Sequence, residues 1–454
     1  MGKLFGSSGV RGLVNVALTP QLACKVGLAV ATYAKARCAV VGRDTRVSSP
    51  MLEDALVAGL TAAGVEVSLL GMVPTPAVAY LTKVLGADVG FMLTASHNPP
   101  QYNGIKVFSG DSLSLTDEDQ ISVEKIITEN RFALADWQKV GTAQKVEAAG
   151  LYTEMLIKAA KLLKPWRVVV DPGCGATFAV APAALSSLGC KITSLNAQPD
   201  GTFPARSSEP TAESLGDLAK AVQALGADLG VAFDGDGDRV AFIDEAGEFV
   251  DFDRALAAFA AYTLKKHGGG TVVTNVEASM CVETMAKKYN GKVVRVKVGD
   301  VYVSEAIARS GALFGGEPCG AWVHPQWHWC PDGPLSVVLV LQALEEENLN
   351  LHDFVAKVPK YVTLRENIAC KNEQKHKIVT DVEKTIIHTF PSYTDFSTVD
   401  GVRLALRNGW VLIRASGTEP LIRLTVEGES LNATRDIMNK GVALVNQYAG
   451  EKQL

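Results

Sequence analysis

The feature that most constrains this chain is a frame of six residues that occurs twice. Leu85-Gly86-Ala87-Asp88-Val89-Gly90 leads into Thr94-Ala95-Ser96-His97-Asn98-Pro99, and Leu225-Gly226-Ala227-Asp228-Leu229-Gly230 leads into Asp234-Gly235-Asp236-Gly237-Asp238-Arg239. A looser third copy, Ser310-Gly311-Ala312-Leu313-Phe314-Gly315, leads into Gly316-Glu317-Pro318-Cys319-Gly320. Each frame reads as a helix end stopped by Gly, a short apolar strand, then a loop of polar or small residues. A second set supports the repeat: 39–44, 168–173 and 271–275 are apolar strands that end in polar turns, with helical patterns such as 50–63 and 179–188 after them. The expected fold is α/β, with three similar α/β/α modules on mixed sheets, each presenting one loop at a strand end. That is where α/β sheets place their chemistry.

The tail has a different pattern. Two strands, 410–414 and 421–426, flank Ala415-Ser416-Gly417-Thr418-Glu419-Pro420, and an amphipathic helix over 433–448 follows. This predicts a smaller C-terminal α+β domain. The polar stretch 364–377 is expected to be a linker, since it carries charge and little apolar pattern. The domains are therefore expected at 1–149, 150–250, 251–364 and 365–454, around a central cleft, which suits a chain of 454 residues.

Composition narrows the function classes. The net charge of −5 gives no basic face for nucleic acid, so no nucleic-acid partner is expected. No apolar run approaches the roughly 18 residues of a membrane span, and no signal-peptide pattern opens the chain. Eight scattered cysteines include no C-x-x-C pair, which argues against a zinc ribbon and fits a reduced, cytoplasmic protein. Monomer and dimer are both left open.

The loops carry the chemistry. A serine hydroxyl at Ser96, beside His97 and Asn98, follows a buried-strand pattern; the alternative is a strand-end turn using Ser and Asn for local hydrogen bonds. Asp234, Asp236 and Asp238 alternate with glycines, and carboxylates this close repel one another unless a cation sits among them. Hard oxygen ligands favour magnesium or calcium. A calcium hand is opposed by Arg239 at its sixth position, where Gly is needed, and by strand-like flanks; a solvated acidic turn and a phosphatase nucleophile are the other readings. Arg239 suits an anionic oxygen on the same ligand. In the tail, Arg414, Ser416, Gly417 and Thr418 form the makings of an anion cradle, with Arg423 adding charge; the alternative is an ordinary Ser-Gly hairpin turn. No Walker-type loop occurs, which disfavours a nucleotide triphosphatase.

Taken in order, these segments resemble the α-D-phosphohexomutase superfamily over nearly the whole chain. The resemblance places its phosphoserine loop at 94–99, its metal loop at 234–239, its sugar loop at 316–320 and its phosphate loop at 414–420; Tyr102-Asn103-Gly104-Ile105-Lys106 also fits. It implies a phosphohexomutase, an isomerase interconverting hexose 6-phosphate and hexose 1-phosphate through a phosphoserine and a bisphosphorylated sugar. Ser96 would carry the phosphoryl group, and Mg2+ would be held by Ser96, Asp234, Asp236 and Asp238. Lys106 and Arg11 would assist proton transfer and steady charge, and His97 would hydrogen-bond the phosphoserine. Glu317 and Cys319 would read the sugar, and Arg239, Arg414, Ser416, Gly417, Thr418 and Arg423 would bind substrate. A hexose 1,6-bisphosphate is implied as activator. The runs 297–303 and 196–201 are similar to archaeal phosphoglucosamine mutases, with phosphomannomutase, phosphoglucomutase or a non-catalytic sugar-phosphate sensor as alternatives. Many relatives read Gly-Glu-x-Ser-Gly-His in the sugar loop; here Cys319 and Ala321 stand at the Ser and His positions, and Ser7-Ser8 stand where Thr-Asp is commoner. His324 and His328 are expected on the surface, the alternative being that they replace the lost imidazole.

Overall fold

The computed structural model describes residues 4–6, 8–147, 149–417 and 419–449. Ser7 and Thr418, both singled out in the sequence, lie outside these. The chain divides into two compact units, one of 1–252 with 299–356 and one of 253–298 with 357–454. No helix among the described residues is long and apolar enough to cross a membrane.

In the first unit a mixed sheet runs in the order Phe5–Gly6, Gly9–Leu13, Tyr102–Ser109, Val89–Leu93, Cys38–Arg43, Glu66–Met72, Ala143–Lys145. A smaller sheet runs Val240–Ile243, Leu229–Phe233, Arg167–Asp171, Lys191–Ser194. The repeated frame is visible in both. Val89–Leu93 and Leu229–Phe233 are buried at every position and pair in parallel with Cys38–Arg43 and Arg167–Asp171, respectively. Each then turns through its loop and returns as an antiparallel strand. The frame glycines Gly86, Gly226 and Gly311 all take positive φ, a left-handed conformation that stops a helix at little cost only when no Cβ is present. In the third copy Phe314–Gly316 and Trp322–Val323 form a short antiparallel pair around the 317–321 loop. Apolar clusters, including Val41, Leu56, Phe91 and Ile105 in one module and Val169, Leu218, Val222 and Ile243 in the next, fix these strands from behind.

In the second unit five strands lie in the order Val362–Ala369, Leu421–Gly428, Gly409–Ala415, Val402–Leu406, Tyr393–Ser397. Lys375–Thr389 and Leu431–Ala449 pack on one face through Ile378, Val382, Ile386, Ile437 and Val445. The expected linker at 364–377 is a correction. Its first six residues belong to the edge strand Val362–Ala369, paired antiparallel along its full length with Leu421–Gly428, and its last three, after a turn, open the helix Lys375–Thr389. Leu364 and Ile368 pack against the core while Arg365 and Glu366 are exposed, and charge on an edge strand is a common guard against further pairing.

The loop bearing Ser96 is clamped by one side chain. Arg46 is fully buried, and its two terminal nitrogens donate to the carbonyls of Pro99 (2.7 Å), Tyr102 (3.0 Å), Ser96 (2.8 Å) and Asn98 (2.6 Å). Its Nε donates to Asp44 Oδ2 at 3.0 Å, and its guanidinium lies 5.0 Å from the Phe203 ring. Asp44 also accepts from Thr94 Oγ1 and Ser49 Oγ, and Thr94 Oγ1 accepts from the Ser96 amide. This network holds Ser96 at φ 50, a conformation that costs a non-glycine residue about 1 kcal/mol or more. The metal loop has a counterpart. Arg206 donates to Asp171 Oδ2 at 2.9 Å and to the Phe233 carbonyl at 2.7 Å. Replacing Arg46 with Met takes a donor from each of four carbonyls and the charge partner from a buried carboxylate. The expected loss is about 3–5 kcal/mol, seen as a lower midpoint of the first transition in urea unfolding of the full chain. Arg46→Lys should not recover it, because one ammonium cannot span four carbonyls and Asp44.

Candidate active site

Ser96 and the three aspartates meet. Ser96 Oγ donates to Asp234 Oδ2 at 2.6 Å, and each aspartate offers one oxygen within 4.8 Å of the others. All three carboxylates are buried. Gly235 permits the approach of the two loops, since a Cβ there would come within 2.6 Å of the Ser96 carbonyl. Burial pushes the Asp234 carboxyl well above its usual range, with Asp238 and Asp236 adding to it. Burial raises Asp238 as well. Burial also opposes the charge on Asp236, but Lys106 and hydrogen bonds from Asp234 and Thr75 hold that carboxyl low. Asp236 Oδ1 and Asp238 Oδ1 are buried with no hydrogen-bond partner. Buried anionic oxygens left without partners are costly, and a hard cation among them removes that cost. The donor set therefore fits a metal.

Cations line the same site. Lys106 Nζ lies 2.8 Å from Asp236 Oδ2 and also contacts Asp238. Burial alone would lower the ammonium pKa, but Asp236, Asp238 and Asp300 outweigh it and the net shift is upward. These carboxylates keep the amine protonated. Arg11 donates to Asn98 Oδ1 at 2.7 Å, and burial lowers its pKa. Arg239 is paired with Glu209 at 3.0 Å, and its amide donates to Asp234 Oδ1. His97 Nδ1 lies 3.2 Å from Ser96 Oγ. Burial, with Arg239 and Arg11 nearby, takes its pKa down to about 3, so the ring is neutral near pH 7.

The sugar loop lies in the same unit. Glu317 is buried, and its Oε1 accepts from the Gly299 amide at 2.8 Å. Cys319 has its thiol pushed up to about 12 by burial, so it stays a neutral, weak donor. The surface expectation for His324 and His328 is overturned. Both are buried, His324 Nε2 against Ser336 Oγ at 2.8 Å and His328 Nε2 against Asp332 Oδ2 at 2.9 Å. A ring fixed by such a partner is part of the packing, so neither histidine is free to replace the lost imidazole.

In the second unit Arg414, Ser416, Gly417 and Arg423 do gather at one strand turn. The Arg414 fork is already engaged, by Glu277 and by Asp400 at 3.6 Å. Arg423 pairs with Glu419 at 3.0 Å. Ser416 Oγ accepts from the Glu419 amide at 3.2 Å, and Gly417 has open space where a Cβ would stand.

Sequence reasoning missed several contributors. Arg46 and Arg206 hold the two loops, Asp300 accepts from Ser8 Oγ at 2.7 Å and adds negative potential at Lys106, and Glu209 neutralises Arg239. Lys375, buried, donates to the Ser416 carbonyl at 2.7 Å. The only local signal was a pair of arginines in 42–46, a type that usually sits on the surface.

Comparison with known proteins identifies the family. Family models for phosphoglucomutase/phosphomannomutase match in order: α/β/α domain I at residues 2–134, domain II at 150–247, domain III at 251–361 and the C-terminal domain at 366–442. A Pyrococcus abyssi protein named "Probable phosphoglucosamine mutase" is 43% identical over 98% of both chains. One of the same name from Methanopyrus kandleri is 42% identical over 99% of both. A solved phosphoglucomutase/phosphomannomutase family protein from Burkholderia thailandensis is 27% identical with a TM-score of 0.90, covering 100% of this chain and 99% of that one. The chain belongs to the phosphoglucomutase/phosphomannomutase family and is a four-domain phosphohexomutase.

Proposed function

We propose that this phosphohexomutase interconverts glucosamine 6-phosphate and glucosamine 1-phosphate through a phosphoserine at Ser96, with Mg2+ as its metal. The observation that carries the reading is the Ser96 hydroxyl, held in a left-handed turn and set against three buried aspartates of which two have an unpartnered oxygen. The preference for glucosamine rests on the names of the archaeal relatives.

Asp234, Asp236, Asp238 and an oxygen of the phosphoserine would hold Mg2+, which when bound supplies charge neutralisation for the transferring group. A hydroxyl of the bound sugar phosphate attacks phosphorus; its O–P bond forms as the Ser96 Oγ–P bond breaks, and its proton ends on the departing Ser96 Oγ. The bisphosphorylated sugar then turns over and returns its other phosphoryl group to Ser96 Oγ. A hexose 1,6-bisphosphate primes the serine by the same transfer. Lys106 and Arg11 bring two cations to the migrating negative charge. His97, neutral, hydrogen-bonds the serine oxygen and is too weakly basic to take the proton. Glu317 reads sugar hydroxyls through its carboxylate. Ser416, Gly417, Arg414 and Arg423, with Thr418, receive the phosphate that is not being transferred, and Arg414 must exchange Glu277 or Asp400 for it.

The test is intact-mass spectrometry after incubation with glucose 1,6-bisphosphate. A population heavier by one phosphoryl group is expected, and it should vanish in Ser96→Ala. Binding of sugar phosphate with no such population would instead mark a sensor, and release of inorganic phosphate as fast as isomerisation a phosphatase. Dialysis against EDTA should bring turnover to background, with Mg2+ restoring it; activity that survives chelation refutes the metal assignment. With glucosamine, mannose and glucose 1-phosphates assayed side by side, kcat/KM for glucosamine should lead by about tenfold or more. Equal values would refute the sugar preference alone.

A further inference from the structure

The second unit contains a buried cation with nothing to pair it. Arg403 lies on the strand Val402–Leu406 and is 6% exposed. Among the described residues its guanidinium makes no hydrogen bond and no ion pair, and its Nε is buried without a partner. The guanidinium stacks over the Trp410 ring, 4.7 Å from the ring centre. The indole is fixed in turn, since Trp410 Nε1 donates to buried Glu427 at 2.8 Å. Guanidinium groups carry five donors and are rarely buried without an acceptor.

The space beside it is large. A cavity of about 770 Å³ is lined by Arg403 together with Glu283, Lys287, Arg295, Asp395 and Arg407, among others. The nearest carboxylates are committed elsewhere. Glu283 takes the Arg295 fork at 2.7 and 2.8 Å, and Glu427 takes the Met280 amide as well as the indole. Lys287 and Arg407 stand exposed at the cavity. Exposed Asp395 also lines it, so a ligand there meets both signs of charge, with positive charge deepest. Burial, and then Arg295, bring the Arg403 guanidinium down to about 9, as an uncompensated charge should be.

We propose that this cavity binds a small, multiply charged oxyanion, a phosphate or a carboxylate, which takes the free donors of Arg403 as a bidentate partner. The site is separate from the residues assigned to sugar phosphate. Its consequence passes through the strand Gly409–Ala415, which carries both Trp410 and Arg414 on one face of the sheet. An anion stacked into this wall fixes the strand from which Arg414 reaches its carboxylates, and so tunes how readily Arg414 exchanges them for substrate.

The proposal can be tested on the full chain labelled with 5-fluorotryptophan, which carries six such residues. The Trp410 fluorine resonance is identified by its loss in Trp410→Phe, and orthophosphate and citrate are titrated separately. A saturable shift of that resonance is expected with one or both, the stronger ligand showing whether phosphate or carboxylate is preferred. Arg403→Lys should weaken it about tenfold and Arg403→Met should abolish it. No shift with either anion, or the same shift in Arg403→Met, overturns the site. Thermal unfolding in anion-free buffer is the second measurement. Removing an unpaired buried charge should raise the melting temperature of Arg403→Met above that of the parent, and added anion should stabilise the parent only. If Arg403→Met melts lower in that buffer, Arg403 is a packing residue and the proposal fails. None of these readouts depends on turnover.

Discussion

Strand ends in a parallel sheet leave carbonyls that no neighbouring strand can satisfy, and the first unit depends on how it deals with them. Both working loops begin where a buried parallel strand runs out. In each module an aspartate at the end of the adjacent strand, Asp44 or Asp171, fixes an arginine whose other donors reach those carbonyls. A buried ion pair is seldom a net source of stability. What it supplies is direction: an arginine fork accepts only one arrangement of the backbone around it. Ser96 can then remain in a left-handed turn with its hydroxyl on Asp234, and the aspartate loop can crowd three carboxylates into one buried volume.

Crowding is the second constraint. Three buried carboxylates with only Lys106, Arg11 and Arg239 about them cannot all be comfortable, and the shifts diverge: Asp234 and Asp238 rise while Asp236, next to Lys106, falls. Such divergence marks a cluster built for a ligand that brings its own positive charge. It also explains why Lys106 is an ammonium here. The amine is half of a charge balance, and its protonation is tied to whatever else sits on Asp236 and Asp238.

What the sequence revealed was local, and what it hid was distant. The repeated frame was legible because helix stop, apolar strand and loop are contiguous, and Ser96, the aspartates, Glu317 and Ser416 all lie within a few residues of such a signal. The Arg46 clamp joins residues 50 positions apart and the Arg206 clamp 35 and 27, so nothing near either arginine marks it as buried. The strand Val362–Ala369 was hidden differently. Its exposed charges resembled a linker, and only pairing with Leu421–Gly428 reveals the strand. His324 and His328 were misplaced because a histidine among Pro, Gln and Trp looks exposed, whereas Ser336 and Asp332 on the following helix draw both rings inward.

The sugar loop shows how far such local reading can be carried. Ala321 is buried and both nearby histidines are fixed by their own partners, so the loop has no free imidazole in its own neighbourhood. The Cys319 thiol, held neutral by burial, is a poor donor. Glu317, by contrast, is held: its Oε1 is pinned by the Gly299 amide just before the helix Asp300–Ser310. A carboxylate oriented by a backbone donor recognises hydroxyl and ammonium groups alike, with a stronger pull on the charged one.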